Sequence, residues 1–168
     1  MRFGVVHSFV QELGRQSDRR LIKLFTKNAR LEIVGLGVVA QGKKELKEFF
    51  GYARMVKLSL AMLAPVVRGD TVFCRLVESN DWLHLVGVES MTYAVRFVFD
   101  GGKIDRIIVE PITGFGVTLQ GPVFSFWKWL KSEEPDVIEE LMPDGKFRFT
   151  PKNGRRLIEL LSRWRGIN

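Results

Sequence analysis

The chain is poor in the residues that build disulfides and metal sites. Its 168 residues include one cysteine, Cys74, and two histidines. A single cysteine excludes an internal disulfide, and the sequence shows no clustered motif of metal ligands. We therefore expect no metal and no cofactor, and we interpret Cys74 as a small buried residue of a strand.

Long apolar runs are also missing. No stretch approaches the roughly 18 consecutive apolar residues of a membrane-spanning helix. The first residues lack the apolar core and the small-residue cleavage site of a secretory signal. These features predict a cytoplasmic protein of one domain, since 168 residues can bury a substantial core but are short for two domains.

Basic residues outnumber acidic ones, 26 to 19, which gives a net charge of +7. The excess lies in the first sixty residues, where it is interleaved with acids, and this pattern is typical of solvated helix surfaces rather than of a nucleic-acid footprint. We expect neither nucleic acid nor a membrane as a partner. Many arginines with few amides would suit a thermophilic protein.

The most informative stretch is a β-hairpin predicted over residues 86–111. Two β-rich runs, 86–99 and 104–111, flank the turn Asp100-Gly-Gly-Lys103. The side chains of a strand alternate between two faces, which places five apolar side chains of the first run on one face: Met91, Tyr93, Val95, Phe97 and Phe99. Glu89 precedes them on the same side. This large apolar face needs a covering layer or a ligand.

The remaining pattern predicts an α+β order. Helices are predicted over 3–13, 18–25 (with Ser17-Asp18 as N-cap) and 42–50, and strands over 29–39, 58–67 and 71–78. Ser79-Asn80-Asp81 is interpreted as a turn, and Trp82 as the start of the strand that leads into the hairpin. The helices should segregate to one face of a curved antiparallel sheet.

Several segments in this order carry a resemblance to a known superfamily. They are Val5-Val-His-Ser-Phe-Val10, Leu24-Phe25, Ala29-Arg-Leu-Glu-Ile33, Gly42-Lys-Lys-Glu-Leu-Lys-Glu-Phe-Phe50, Glu78-Ser-Asn-Asp-Trp-Leu-His-Leu-Val-Gly87 and Phe99-Asp-Gly-Gly-Lys-Ile104. Over residues 3–111 the chain resembles the superfamily of ketosteroid isomerases, SnoaL-like polyketide cyclases, scytalone dehydratase and nuclear transport factor two. The resemblance implies a cystatin-like cone, in which a curved antiparallel sheet wraps around N-terminal helices. It implies fold more than function, because this fold carries enzymes, binding proteins and scaffolds.

The resemblance also locates the catalytic positions of a ketosteroid isomerase. Its first-helix tyrosine falls on Phe9, its catalytic aspartate on Ile33, its third-helix tyrosine on Phe50 and its oxyanion-hole aspartate on Val95. None of these side chains can exchange a proton or donate a hydrogen bond. Isomerisation by that mechanism is therefore not expected.

Four other side chains are candidates for proton transfer. Glu89 and Tyr93 share the inward face of the hairpin, and Asp105 shares the parity of Ile107 and Val109. His84 would join them if a bulge near Gly87 shifted the alternation. A carboxylate in an apolar cone would have its pKa raised by desolvation, as a general acid or base requires.

Residues 112–168 form a predicted extension beyond the cone of residues 1–111. Gly114, Gly116 and Gly121-Pro122 predict a loop, followed by a short helix to Leu141, a Pro143-Asp-Gly turn and an amphipathic helix over 152–164. The aromatic cluster Phe124, Phe126, Trp127 and Trp129 is too apolar to stay exposed. It either packs on the cone as core or interface, which we favour, or closes the mouth as a lid.

Three functions remain open. The first is binding of a small apolar molecule without the isomerase groups, in a pocket lined by Phe9, Ile33, Phe50, Met91, Val95, Phe97, Phe99, Ile107 and Val109. The second is an isomerase, dehydratase, cyclase or hydrolase that uses Glu89, Tyr93, Asp105 or His84. The third is a protein–protein scaffold. We also expect a homodimer through the outer sheet face, where Ser90, Thr92, Ala94 and Val98 are small enough to let another sheet approach.

Overall fold

The computed structural model describes residues 1–13, 15, 18–112 and 115–166, and for residues 115–120 the backbone alone. The helices are α1 (Arg2–Leu13), α2 (Asp18–Lys23), α3 (Gly42–Met55), α4 (Asp81–Leu85), α5 (Phe115–Glu133), α6 (Pro135–Leu141) and α7 (Pro151–Trp164). The strands are β1 (Phe25–Ile33), β2 (Gly37–Gln41), β3 (Ser59–Arg68), β4 (Thr71–Ser79), β5 (Met91–Asp100) and β6 (Lys103–Pro111).

The strands form one curved, open sheet in the order β2-β1-β6-β5-β4-β3. Every neighbouring pair is antiparallel except β1 and β6, which run parallel. The parallel pair differs from the uniformly antiparallel sheet predicted. It is sterically allowed because α3 and four strands lie between β1 and β6 in the chain and supply the long connection that parallel strands need.

The helices cover one side of this sheet. Helix α1 contacts β3 and β4, and α3 contacts β1 and β2. Helix α1 buries Val6, Phe9 and Leu13, which are spaced three and four residues apart as an amphipathic helix requires. The predicted α+β class with a cystatin-like curved sheet is confirmed.

Strand β5 shows the predicted alternation. Met91, Tyr93, Val95, Phe97 and Phe99 are all buried, while the residues between them are partly or fully exposed. The strand begins at Met91 rather than at residue 86, because the chain before it forms a different element, a short helix that ends at Leu85 and is followed by a turn and a loop.

That element is α4, where a turn and a strand start were predicted. The side chain of Asn80 accepts a hydrogen bond of 2.8 Å from the backbone N–H of Leu83 and so caps the helix. Leu83 within the helix and Val86 and Val88 after it are buried. Ser-Asn-Asp is a turn signal and also a helix-start signal, and here the burial of Leu83 selects the helix.

The single strand predicted over 29–39 is two strands joined by a turn. Gly35 and Gly37 have positive φ angles of 93° and 83°, which L-residues with side chains rarely adopt. The chain therefore reverses at this point, and β2 pairs antiparallel with β1.

The loop predicted around Gly116 and Gly121-Pro122 is helical, since α5 runs through both. Pro122 removes one backbone donor from the helix. The helix persists around it because Phe126 and Leu130 are buried, Phe126 against the Trp164 ring of α7 at 5.7 Å. The predicted loop glycine Gly114 and the predicted N-cap Ser17 lie outside the described residues.

Helix α7 packs closely on α3 and also contacts α4 and α5. The contact with α3 depends on two glycines. A Cβ atom at Gly51 would overlap the Pro151 ring, and one at Gly154 would lie 3.0 Å from the ring of Tyr52 and from the Cβ of Met55. Gly51, Tyr52 and Ala53 are consecutively buried, so α3 is covered both by the sheet and by the C-terminal extension.

Two further sequence features have a clear place in the structure. Among the described residues, no helix is both long and apolar enough to cross a membrane. Cys74 is 6% exposed, as predicted for a small buried strand residue, and burial raises the pKa of its thiol to about 11.

Candidate functional site

The interior of the cone contains a cavity of about 70 Å³. Its lining is apolar apart from one carboxylate, Glu78, and one phenol, Tyr93. The other lining residues are Phe9, Leu13, Leu31, Leu46, Phe49, Phe50, Leu58, Leu60, Leu76, Val95, Ile107 and Val109. The two polar groups are therefore the reactive candidates in this space.

Glu78 reaches the cavity because of its position in β4. Val72, Cys74 and Leu76 are buried on the inner face, and Glu78 continues their alternation by two residues. It pairs with Leu60 of β3 and Met91 of β5. An apolar side chain would be the ordinary occupant of this position.

Asn80 holds the Glu78 carboxylate. Its side-chain amide donates a hydrogen bond of 2.6 Å to Glu78 Oε1, while its amide oxygen caps α4. Asn80 is only 2% exposed. The short helix α4 therefore fixes the amide so that its N–H points at the carboxylate.

Tyr93 supplies a second donor to the same carboxylate. Its hydroxyl hydrogen-bonds Glu78 from the neighbouring strand β5, and Tyr52 of α3 lies within electrostatic range of both groups. Tyr93 is 8% exposed and Tyr52 is 5% exposed. The chain has two tyrosines and thirteen phenylalanines. Both tyrosines lie around this one carboxylate.

Burial dominates the electrostatics of this cluster. Desolvation raises the pKa of Glu78 above its ordinary value, and the hydrogen bonds from Asn80 and Tyr93 offset part of that shift. Burial, reinforced by the negative charge of Glu78, raises the pKa values of Tyr52 and Tyr93 well above their usual range. Both phenols thus stay protonated at neutral pH, beside a carboxylate that accepts a proton more readily than an exposed one.

Aromatic rings pack against one another in another part of the cone. Phe9 lies 5.8 Å from Phe25, 6.3 Å from Phe50 and 5.6 Å from Phe97, measured between ring centroids. We call these four residues the aromatic end, and Tyr52, Glu78, Asn80 and Tyr93 the polar end. Along β5, Phe97 and Tyr93 are separated by about 13 Å at roughly 3.3 Å per residue.

The residues predicted to line a pocket separate into two groups. Phe9, Phe50, Val95, Ile107 and Val109 line the cavity. Met91, Phe97 and Phe99 are buried core residues, and Ile33 is partly buried at the end of β1. In β1 the cavity is lined by Leu31 instead.

The structure places Glu89 and His84 at the surface rather than in the cone. Both side chains are exposed, and Glu89 lies in the loop before β5. His84 Nε2 lies 3.0 Å from Ser79 Oγ and 3.2 Å from the backbone carbonyl oxygen of Glu89. Helix α4 and the loop after it replace the expected strand, so the alternation that pointed these side chains inward does not exist there.

A β-bulge removes Asp105 from the inner face. Phe99 pairs with Ile104 and Val98 pairs with Arg106, which leaves Asp105 as the extra residue. Its carboxylate accepts a hydrogen bond of 2.8 Å from Thr26 Oγ1. The bulge shifts the alternation by one residue, so Asp105 and Ile107 do not share a face across it.

Sequence reasoning missed Glu78, Asn80 and Tyr52. The signal for Glu78 was present, since residues 72, 74 and 76 are apolar and residue 78 continues their period. The role of Asn80 was not predicted because residues 79–81 were interpreted as a turn. Tyr52 lies beyond the predicted end of its helix, which continues to Met55.

The described residues contain no group of three or more His, Cys, Asp or Glu side chains that could hold a metal ion. Two wider depressions lie outside the cone. One, of about 450 Å³, runs between the β1–β2 hairpin, α3 and residues 142–150. The other, of about 640 Å³, lies on the outer sheet face beside Phe73, Arg75, Ala94 and Arg96.

The fold is similar to those of several solved structures. A polyketide cyclase-like protein from Sinorhizobium meliloti is 18% identical, with a TM-score of 0.55 over 63% of this chain and 93% of its own. The epoxide hydrolase/cyclase-like enzyme SalBIII of salinomycin pyran-ring formation is 17% identical, with a TM-score of 0.57 over 67% and 91%. A ketosteroid isomerase-like protein from Kribbella flavida is 12% identical, with a TM-score of 0.56 over 66% and 77%.

These similarities confirm the resemblance to the ketosteroid isomerase and SnoaL-like superfamily at the level of fold. No protein-family model matches the chain, and no curated protein sequence is significantly similar to it. The chemistry of this chain therefore has to be argued from its own side chains.

Proposed function

We propose that the cone binds a small, largely apolar molecule with a carbonyl or hydroxyl group, and that Glu78 exchanges a proton with it. The observation that carries this proposal is a single carboxylate facing a cavity whose other lining residues, apart from Tyr93, are apolar, with hydrogen bonds to it from Asn80 and Tyr93. A carboxylate with a raised pKa can act both as a base and, once protonated, as an acid near neutral pH.

The two phenols have a complementary role in this proposal. Tyr93 and Tyr52 remain protonated, so each is a hydrogen-bond donor beside the group that takes the proton. A donor of this kind stabilises negative charge that develops on a substrate oxygen. Glu78 would remove a proton next to a carbonyl and become neutral, and Tyr93, whose one O–H donates to the carboxylate beforehand, would then turn that donor to the oxygen of the resulting enolate.

Cavity size restricts the substrate. About 70 Å³ corresponds to roughly two water molecules at about 30 Å³ each, far below the 300 Å³ or more of typical ligand pockets. A larger molecule can enter only if partly buried lining side chains such as Phe49 and Leu60 move aside. The superfamily resemblance implies isomerisation, dehydration or cyclisation. Each of these reactions needs a group that transfers a proton, and Glu78 is such a group.

Proton exchange into a small ketone tests the proposal without knowledge of the natural substrate. In D₂O, the wild-type protein should accelerate deuterium incorporation at the α-carbons of 2-butanone or cyclopentanone, followed by proton NMR. Glu78→Gln should return the rate to background, since general base catalysis contributes about 10²- to 10⁴-fold. Glu89→Gln is the matched control, because Glu89 is an exposed glutamate outside the cone.

The result also separates the alternative functions. Exchange that survives Glu78→Gln would refute the role of this carboxylate. Chemical-shift changes of cavity residues on ketone addition, without any exchange, would instead support binding without catalysis. Neither binding nor exchange with any small apolar probe would favour a scaffold.

We further propose a homodimer through the outer sheet face. This face exposes Leu63 and Val66 of β3 at 49% and 48%, together with Phe73 of β4, the pairing partner of Val66, at 38%. Contiguous apolar side chains of this kind mark interaction surfaces. Light scattering at micromolar concentration should give twice the monomer mass, and a monomer would refute the proposal.

A further inference from the structure

Tyr52 connects the polar end to the C-terminal extension. Its ring packs edge-on against Phe149, with centroids 5.0 Å apart and planes at 88°, and against Phe147 at 5.8 Å and 70°. On the other side Tyr52 lies within electrostatic range of Glu78 and Tyr93. One buried side chain thus contacts the extension and also interacts electrostatically with the candidate site.

The extension holds these two phenylalanines in a defined place. Thr150 caps α7 by accepting a hydrogen bond of 3.2 Å from the backbone N–H of Asn153. The buried side chain of Asn153 donates a hydrogen bond of 2.9 Å to the backbone carbonyl of Arg148. Phe149 therefore lies between two residues that are both tied to the first turn of α7.

Close packing transmits that placement to α3. Gly154 lets α7 approach until a Cβ atom would lie 3.0 Å from the Tyr52 ring, and Gly51 lets Pro151 lie directly against α3. Shape-complementary contacts of this density leave little room for the ring to tilt. A displaced Tyr52 ring would change the surroundings of Glu78, with which Tyr52 interacts electrostatically.

We propose that the extension completes the candidate site, and that Phe149 is a positioning residue that acts through Tyr52 on Glu78. This inference rests on the proposed function for its catalytic meaning. Residues 147–154 are then part of the site, although they lie outside the cone that the superfamily resemblance covers.

Phe149→Leu tests the inference, because leucine keeps the position apolar but removes the edge-on ring contact. Looser packing of Tyr52 should admit water, so the pKa of Glu78 should fall toward its ordinary value in an NMR titration of the carboxyl carbon. Ketone exchange should slow by about tenfold, since small misplacements in a site are costly. Phe126→Leu is the matched control, because Phe126 is a buried extension residue that packs against Trp127, Trp129 and Trp164.

A double-mutant cycle identifies the route. If Phe149 acts through Tyr52, then Phe149→Leu should have no further effect on the Glu78 pKa in a Tyr52→Leu background. Additive effects, or an unchanged pKa in Phe149→Leu, would overturn the inference. Phe147→Leu gives a second, milder variant should Phe149→Leu fail to fold.

Failure of the inference is distinguishable from failure of the proposed function. A wild-type protein that exchanges no ketone protons refutes the function, yet the titration of Glu78 still decides whether Phe149 acts on it. Conversely, exchange that depends on Glu78 but not on Phe149 supports the function and refutes the positioning role.

Discussion

The aromatic end and the polar end of the cone share α3 and β5 but have opposite chemistry. At the aromatic end, Phe25 and Phe97 are fully buried and their rings meet in edge-on contacts with Phe9. At the polar end, one carboxylate, one amide and two phenols share a small space. Apolar side chains therefore pack tightly in one part of the cone, and ionisable side chains lie in another part.

The comparison also explains where the superfamily resemblance misleads. The resemblance predicts that the four isomerase positions fall on Phe9, Ile33, Phe50 and Val95, and Phe9 and Phe50 belong to the aromatic end. Judged by these positions, the chain carries no proton-transfer groups. Its candidate carboxylate is Glu78 of β4, which is not one of those four positions.

The largest expected effect concerns the support of the polar end. Truncation after Pro111 removes α7 and exposes Gly51, Tyr52 and Ala53 of α3, which are buried in the intact chain. We expect aggregation or loss of the cooperative thermal transition, measured by circular dichroism and light scattering. A truncated protein that stays folded and only gains faster ligand access would instead support the lid interpretation of the extension.

The next prediction contrasts stability at the two ends. Phe97→Ala should lower the free energy of unfolding by about 3–5 kcal/mol, because it leaves a cavity in packed core. Tyr93→Phe should change that free energy much less and should slow ketone exchange instead. Urea unfolding of both variants makes the comparison. A Tyr93→Phe protein that loses stability and keeps its exchange rate would make the polar end structural.

Much of the aromatic end could be predicted from the sequence, and little of the polar end. Alternation in β5 and helical spacing in α1 follow from burial of one face, so Phe9 and Phe97 were placed correctly inside. Glu78 goes against the rule that carboxylates avoid the interior. Asn80 depends on a helix cap that resembles a turn, and Tyr52 is buried by a helix about one hundred residues later in the chain.

A smaller effect is expected in the pH dependence of stability. Unfolded, Glu78 has an ordinary pKa of 4.5, and burial raises it in the folded protein. Below pH 4.5 both states are protonated, so burial of the carboxyl carries no charge penalty. As the pH rises through the folded-state pKa, stability is lost by about 1.4 kcal/mol for each unit of pKa difference.

Glu78→Gln removes this ionisation and should flatten that part of the stability profile. Denaturant titrations between pH 4 and pH 8 measure it, with Glu89→Gln as the control that keeps the wild-type slope. Identical slopes in the wild type and Glu78→Gln would show that Glu78 is not desolvated in solution, and the polar end would then lose its distinguishing property.

The smallest expected effect separates the two roles of Asn80. Asn80→Asp keeps an oxygen that can accept from Leu83, and aspartate caps helices about as well as asparagine, so α4 should remain. The substitution removes the donor to Glu78 and places a second negative charge beside it, and both changes favour protonation of the pair. The pH profile of ketone exchange should therefore move to higher pH by about one unit, while the thermal midpoint at acidic pH stays close to wild type. A profile that does not move would show that the Asn80 amide serves only to cap the helix.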